Sequence, residues 1–191
     1  YPHDLGEGRL FNAQESDFYY LLGLAYKGRG DDADAVECWR KGVKAPSEPA
    51  AALYYNDAKP EKIFYSALCL MQLGRREEAV ERFRKLLDYG RTHLDDEVRM
   101  DYFAVSLPEM LVWDADLTAR NRVHCLFMKG LGLWGLAAAG ACGTSADGTS
   151  LSASGGASDC RAAALRCLSK ASASDINHLG IYSAKLIIGL L

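Results

Sequence analysis

The sequence predicts an all-α fold: a short right-handed superhelical solenoid of stacked helical hairpins, ended by a closing helix. Three observations carry this. Residues 16–49 (SDFYYLLGLAYKGRGDDADAVECWRKGVKAPSEP) and 60–90 (PEKIFYSALCLMQLGRREEAVERFRKLLDYG) repeat one another when Gly30 is set on Gly74. Apolar residues recur in both at helical spacing, and no run alternates as a strand would. Residues 122–137 and 159–176 form the halves of a third unit, parted by a Gly/Ser/Ala/Thr-rich stretch. The 191 residues read as one domain, with repeats at about 16–49, 60–90 and 122–176. A hydrophobic share of 49% and a net charge of −3 exclude a disordered chain and a nucleic-acid binder driven by bulk charge.

In the first unit, two amphipathic helices flank the turn KGRGDD; in the second, the turn is LGRREE. Gly23 and Ala35, matched by Ala67 and Ala79, sit where paired helices must approach closely. Trp39, matched by Phe83, fills the space beside them. A lone hairpin cannot bury its apolar stripe, so such units stack. The pattern resembles the tetratricopeptide repeat. Its positions fall on Tyr19, Leu22, Gly23, Tyr26, Gly30, Ala35, Trp39, Gly42 and, one place early, Pro46 in the first unit. In the second they fall on Ile63, Ser66, Ala67, Leu70, Gly74, Ala79, Phe83 and Leu86, with the weaker fit in the first helix.

Residues 91–119 do not repeat. Val98, Met100, Tyr102, Phe103, Val105 and Leu107 predict a helix before Pro108, with Asp95-Asp96-Glu97 at its amino end. Asp114-Ala115-Asp116 makes a polar break ahead of the third unit, where Gly130 takes the close-approach position of the first helix and Ala164, Leu168 and Ala171 take the small, large and small positions of the second. Residues 138–158 have almost nothing to bury and predict a flexible surface insertion. Residues 177–191 predict the closing helix, capped by Asn177. It is apolar for a cap, which leads us to expect more chain or a partner over it. The Tyr1-Pro2-His3 start leads us to expect a piece of a longer protein. The middle region, running into Asn121, Val123, His124 and Cys125, is similar to the carboxyl-terminal repeat regions of large bacterial proteins. Those carry a sugar-enzyme-like domain of unknown function ahead of tetratricopeptide repeats. The resemblance covers about residues 10–190 and implies an appended repeat tail.

Chemistry is not written in the sequence. Gly130-Leu131-Gly132-Leu133-Trp134-Gly135 fits G-x-G-x-x-G but lies late in a helical pattern, without the strand-to-helix turn a dinucleotide site needs. The acidic residues Asp95, Asp96, Glu97, Asp101, Glu109, Asp114 and Asp116 match no EF-hand, and helix-start and solvated-face roles explain most of them. His3, His93, His124 and His178 are scattered, with no i, i+4 pair for a metal. Tyr182 and Lys185 share a helix face without support for a cofactor, and there is no nucleophile elbow. Arg75, Arg76, Arg82, Arg84 and Lys85 interleave with Glu77, Glu78 and Glu81 as an ion-paired face. The reading is therefore a non-enzyme without cofactor or metal. Of six cysteines, Cys38, Cys69, Cys125 and Cys167 fall in helical apolar patterns as reduced core residues, which points to the cytoplasm. No stretch is apolar over the roughly 18 residues of a membrane span.

The resemblance implies that the first helix of each unit lines a concave face. The inward positions are Asp17, Tyr20, Leu24 and Lys27, then Glu61, Phe64, Leu68 and Met71, then His124, Phe127, Leu131 and Trp134. Tyr20, Leu24, Lys27, Phe64, Leu68, Met71, Phe127, Leu131 and Trp134 are the groove candidates. Such a stripe suits an apolar helix or extended peptide, with Phe64, Leu68, Phe127 and Trp134 as anchors. Tyr20, Leu24 and Phe64 stand where a carboxylate clamp would need Lys and Asn. The bland alternative is that the molecule fills this surface itself. The leading function is a protein-interaction or scaffolding module. The rival is the repeat tail of a larger cytosolic carbohydrate-processing protein, packed on its catalytic domain or forming its dimer interface.

Overall fold

The computed structural model describes residues 13–51, 57, 59–99, 116–142 and 156–190. Seven helices follow in order: α1 Ser16–Arg29, α2 Asp32–Gly42, α3 Pro60–Gln72, α4 Arg76–Thr92, α5 Leu117–Ala138, α6 Ala157–Ser174 and α7 Leu179–Leu190. No strand occurs among the described residues. The pairs α1–α2, α3–α4 and α5–α6 form three hairpins. Each first helix packs on the next first helix, and each second helix packs on the first helix that follows it. This is the expected all-α helical repeat. The predicted helix before Pro108 lies mostly outside the described residues, as does most of the 138–158 insertion.

One device ends all three first helices. Gly30, Gly74 and Gly140 take φ values of 88°, 75° and 63°, the left-handed region that glycine enters without strain. The following amides of Asp31, Arg75 and Ala141 then donate to the carbonyls of Tyr26, Leu70 and Leu136, at 3.0, 2.9 and 2.9 Å. This satisfies end carbonyls that a helix leaves orphaned. Starts are set differently. α3 begins with Pro60, whose missing N–H costs nothing at a first position, after an extended Lys59. α5 begins after Asp116, whose carboxylate accepts from the Ala119 amide at 2.9 Å. α7 is capped not by Asn177 but by His178, whose Nδ1 accepts from the Ile181 amide at 3.2 Å. Asn177 instead donates its amide to Asp175 in a tight turn.

The close approaches fall where small residues stand. A Cβ on Gly23 would strike the Trp39 indole, whose Nε1 donates to the Tyr20 carbonyl at 3.3 Å. A Cβ on Gly130 would lie 2.8 Å from Leu168. Gly132 faces the backbone of Phe83 and Leu87, and Gly135 faces the Phe83 ring. The G-x-G-x-x-G run is thus packing surface, with Gly130 against α6 and the other two against α4. Asp95-Asp96-Glu97 begins no helix within the described residues. Asp95 pairs with Arg122 and Asp96 with His93, both at 2.6 Å, and Glu97 pairs with Arg99 at 2.7 Å.

Candidate functional site

The groove residues are the natural place to look for a site, and most of them are inside the molecule. Tyr20, Phe64, Leu68, Phe127, Leu131 and Trp134 are buried. Leu24 and Met71 are half-buried against the core, and Lys27 is exposed. The burial has named causes. The Phe64 ring meets Trp134 edge-on at 5.9 Å and Phe83 at 5.8 Å, so one aromatic cluster joins α3, α4 and α5. Tyr20 packs on Tyr65 at 5.8 Å. Phe127 is covered by the start of α7, with the His178 ring edge-on at 5.0 Å and Gly180 close against it. Along this part of the concave face, neighbouring helices occupy the stripe. Lys27 keeps its ammonium 5.6 Å from the Trp39 ring centre and 3.5 Å from the Gln72 amide oxygen.

The face opens at its other end. A cavity of about 790 Å³ lies between the amino-terminal ends of α3 and α5 and the turn from α6 into α7. Glu61 and His124, the first inward positions of their units, line it, with Lys59, Arg120, Arg122, Asp175, Asn177 and Leu179. The amino-terminal ends of α3, α5 and α7 all reach this space, so their helix dipoles add positive potential near the lining cations. Asp17, the corresponding position of the first unit, is engaged with Lys62 at 2.6 Å instead.

His124 anchors the cavity wall. Its Nε2 donates to the Ala50 carbonyl at 2.8 Å, which fixes the tautomer with Nδ1 unprotonated. Burial drives its pKa down to about 4, only partly opposed by that hydrogen bond; the charges of His178, Arg120 and Lys59 push the same way. The ring is therefore neutral at pH 7. Asn121 is buried beside it and donates to the His93 carbonyl at 2.7 Å, tying α5 to the end of α4. These two polar side chains tie the cavity wall to neighbouring backbone.

No group of three or more His, Cys, Asp or Glu suited to a metal occurs among the described residues. No described helix is long and apolar enough to cross a membrane. All six cysteines are free thiols. Sequence reasoning named Glu61 and His124 as inward-facing but left them out of the groove set. It had no signal for the cavity, because Lys59, Arg120 and Asp175 come from the start of α3, the start of α5 and the α6–α7 turn.

Two family models described as tetratricopeptide repeat match the chain, one over residues 16–48 and the other over residues 63–89. They coincide with α1–α2 and α3–α4; the α5–α6 hairpin lies outside both stretches. No solved structure matches the chain.

Proposed function

We propose that this chain, whose first two hairpins resemble tetratricopeptide repeats, is a protein-interaction module that seats a polar peptide segment at the amino-terminal ends of its first helices. Such repeats are typically non-catalytic and mediate protein–protein contact or scaffolding. The observation that carries the siting is the cavity of about 790 Å³ lined by the starts of α3 and α5 and the α6–α7 turn. Its lining mixes Lys59, Arg120 and Arg122 with Glu61 and Asp175, which suits a segment carrying both charges and backbone polarity. Leu24, Lys27 and Met71 remain as contacts at the far end of the same face. Tyr20, Phe64, Leu68, Phe127, Leu131 and Trp134 support the surface from beneath.

The test is site-specific photo-crosslinking in the source cell. A photoreactive residue replaces Ala119 or Ser174 on the cavity, or Asp88 on the outer face of α4. A defined protein adduct from the cavity positions but not from position 88 supports the reading. Equal labelling from all three overturns it.

A second reading keeps the alternative of a packing tail or dimer interface. It is favoured by the outer face of α7, where Leu179, Tyr182 and Leu186 are 74%, 69% and 57% exposed. Three large apolar side chains at i, i+3 and i+7 of one helix suit a contact with another apolar surface. Crosslinks confined to position 182 would favour it.

A further inference from the structure

The start of α7 is held by an imidazole. His178 Nδ1 accepts from the Ile181 amide at 3.2 Å, an amide it shares with its own carbonyl oxygen at 3.1 Å. The donor is a backbone N–H, so the accepting nitrogen needs a free lone pair and the ring is unprotonated at Nδ1. The same ring stands edge-on to Phe127 of α5 at 5.0 Å. Its Cε1 lies 3.1 Å from the place a Cβ on Gly180 would take, with the Phe127 ring at 3.2 Å from that place. One side chain therefore both caps α7 and joins it to α5. The rest of the attachment is modest: α7 packs on α6 and α5 through the buried Ile181, Ala184 and Ile187. His178, Leu179 and Gly180 also form one wall of the cavity.

We propose that His178 is a proton-operated latch: a proton on Nδ1 frees the start of α7 from α5, uncovers Phe127 and loosens one wall of the cavity. The proton takes the lone pair that caps the helix and sets a donor against a donor. It also puts a positive charge at the positive end of the α7 dipole. Charged neighbours act in both directions. Arg120 and Arg122 of α5 and Lys59 at the start of α3 oppose the imidazolium, while Glu61 of α3 and Asp175 of the α6–α7 turn favour it. Asp175 already accepts from the Asn177 amide at 3.0 Å, and Arg122 is held by Asp95 at 2.6 Å. His124, the titratable neighbour on α5, has its pKa driven down to about 4 and stays neutral well below pH 6. The sign follows from the cap. An acceptor that must be unprotonated stabilises most at high pH, and its contribution is lost as pH falls through the range in which histidines charge. The latch acts on α7 whatever the cavity holds.

The experiment follows hydrogen exchange of the full chain at about pH 7.5 and about pH 5.5, read as protection factors corrected for the intrinsic pH dependence of exchange. Protection in α7 is expected to fall about tenfold at the lower pH, the size of a lost cap plus a misplaced charge, with α1 unchanged. In His178→Asn, whose amide oxygen can accept from Ile181 without titrating, that fall is expected to vanish. A fall that persists in His178→Asn, or none in the wild-type chain, overturns the proposal. A second measurement needs no variant. In the nitrogen-15-labelled wild-type chain, the His178 Nδ1 and Ile181 amide resonances should titrate together. Nδ1 gaining its proton while the Ile181 amide stays unmoved would also overturn it.

Discussion

α5 and α7 are both first helices in the solenoid order, and composition ranks them opposite to their burial. α7 has one charged residue in twelve, Lys185, whereas α5 has Arg120, Arg122 and Lys129. Yet α5 is buried on several sides, packed by α3, α4, α6 and α7, while among the described helices α7 packs on α6 and α5. α7 buries Ile181, Ala184 and Ile187 and leaves Leu179, Tyr182 and Leu186 exposed. Burial in a stacked array is therefore decided by how many neighbours a helix has, and among the described residues α7 has fewer than α5.

The largest effect expected is at Phe127, where α5 meets α7. Phe127→Ala should cost about 3–5 kcal/mol, read from the urea midpoint, because it empties a fully enclosed site. It should also raise hydrogen exchange in α7 more than in α1; equal change in both would mean that α7 is not held by this contact. His124 comes next. Its folded pKa of about 4 lies below the unfolded value of about 6.5, so its contribution is complete above pH 6.5 and drains away as pH falls toward 4. The loss should reach about 3 kcal/mol, and His124→Gln, which retains a donor for Ala50 without titrating, should flatten that slope. The facing groups are His178, Arg120, Lys59 and the Tyr89 ring.

A pair of glycine substitutions should then differ in sign. Gly135→Ala on α5 meets the Phe83 ring and should destabilise by about 1–3 kcal/mol. Gly189→Ala on α7 has open space and should stabilise by up to about 0.5 kcal/mol, by removing backbone freedom from the unfolded chain. The same sign at both would erase the contrast between the helices. Smallest in stability is Leu186→Ser, expected to change the unfolding free energy by no more than about 0.5 kcal/mol. Its readout is sedimentation: any self-association of the wild-type chain should weaken, and unchanged association would place the contact elsewhere.

The hairpins could be read from the sequence because local rules wrote them. Gly30 and Gly74 mark helix ends, Gly23 and Gly130 mark close approaches, and Asp116 marks a start. Gly140 performs the same task as Gly30, but the polar run after it hid the helix end. His178 caps α7 through a ring nitrogen, which no short cap pattern announces, so Asn177 stood in for it. The fate of the concave stripe was harder. Phe64 and Trp134 carry the same residue types whether a peptide covers them or each covers the other, and only tertiary placement separates the two. The cavity was invisible because its wall is assembled from the start of α3, the start of α5 and the α6–α7 turn.

The glycine face between α4 and α5 has a mechanical meaning. Gly90 brings α4 against the backbone of Cys125 and Lys129, and Gly132 brings α5 against the backbone of Phe83 and Leu87. Gly42, at the α2–α3 junction, meets the Cys69 side chain first. A joint of main chain on main chain has few rotamers with which to yield, so it behaves as a stiff hinge pin. Under tension, as a force–extension trace would register, the compliance of this short spring should lie at the α2–α3 junction, with the second and third hairpins moving as one block.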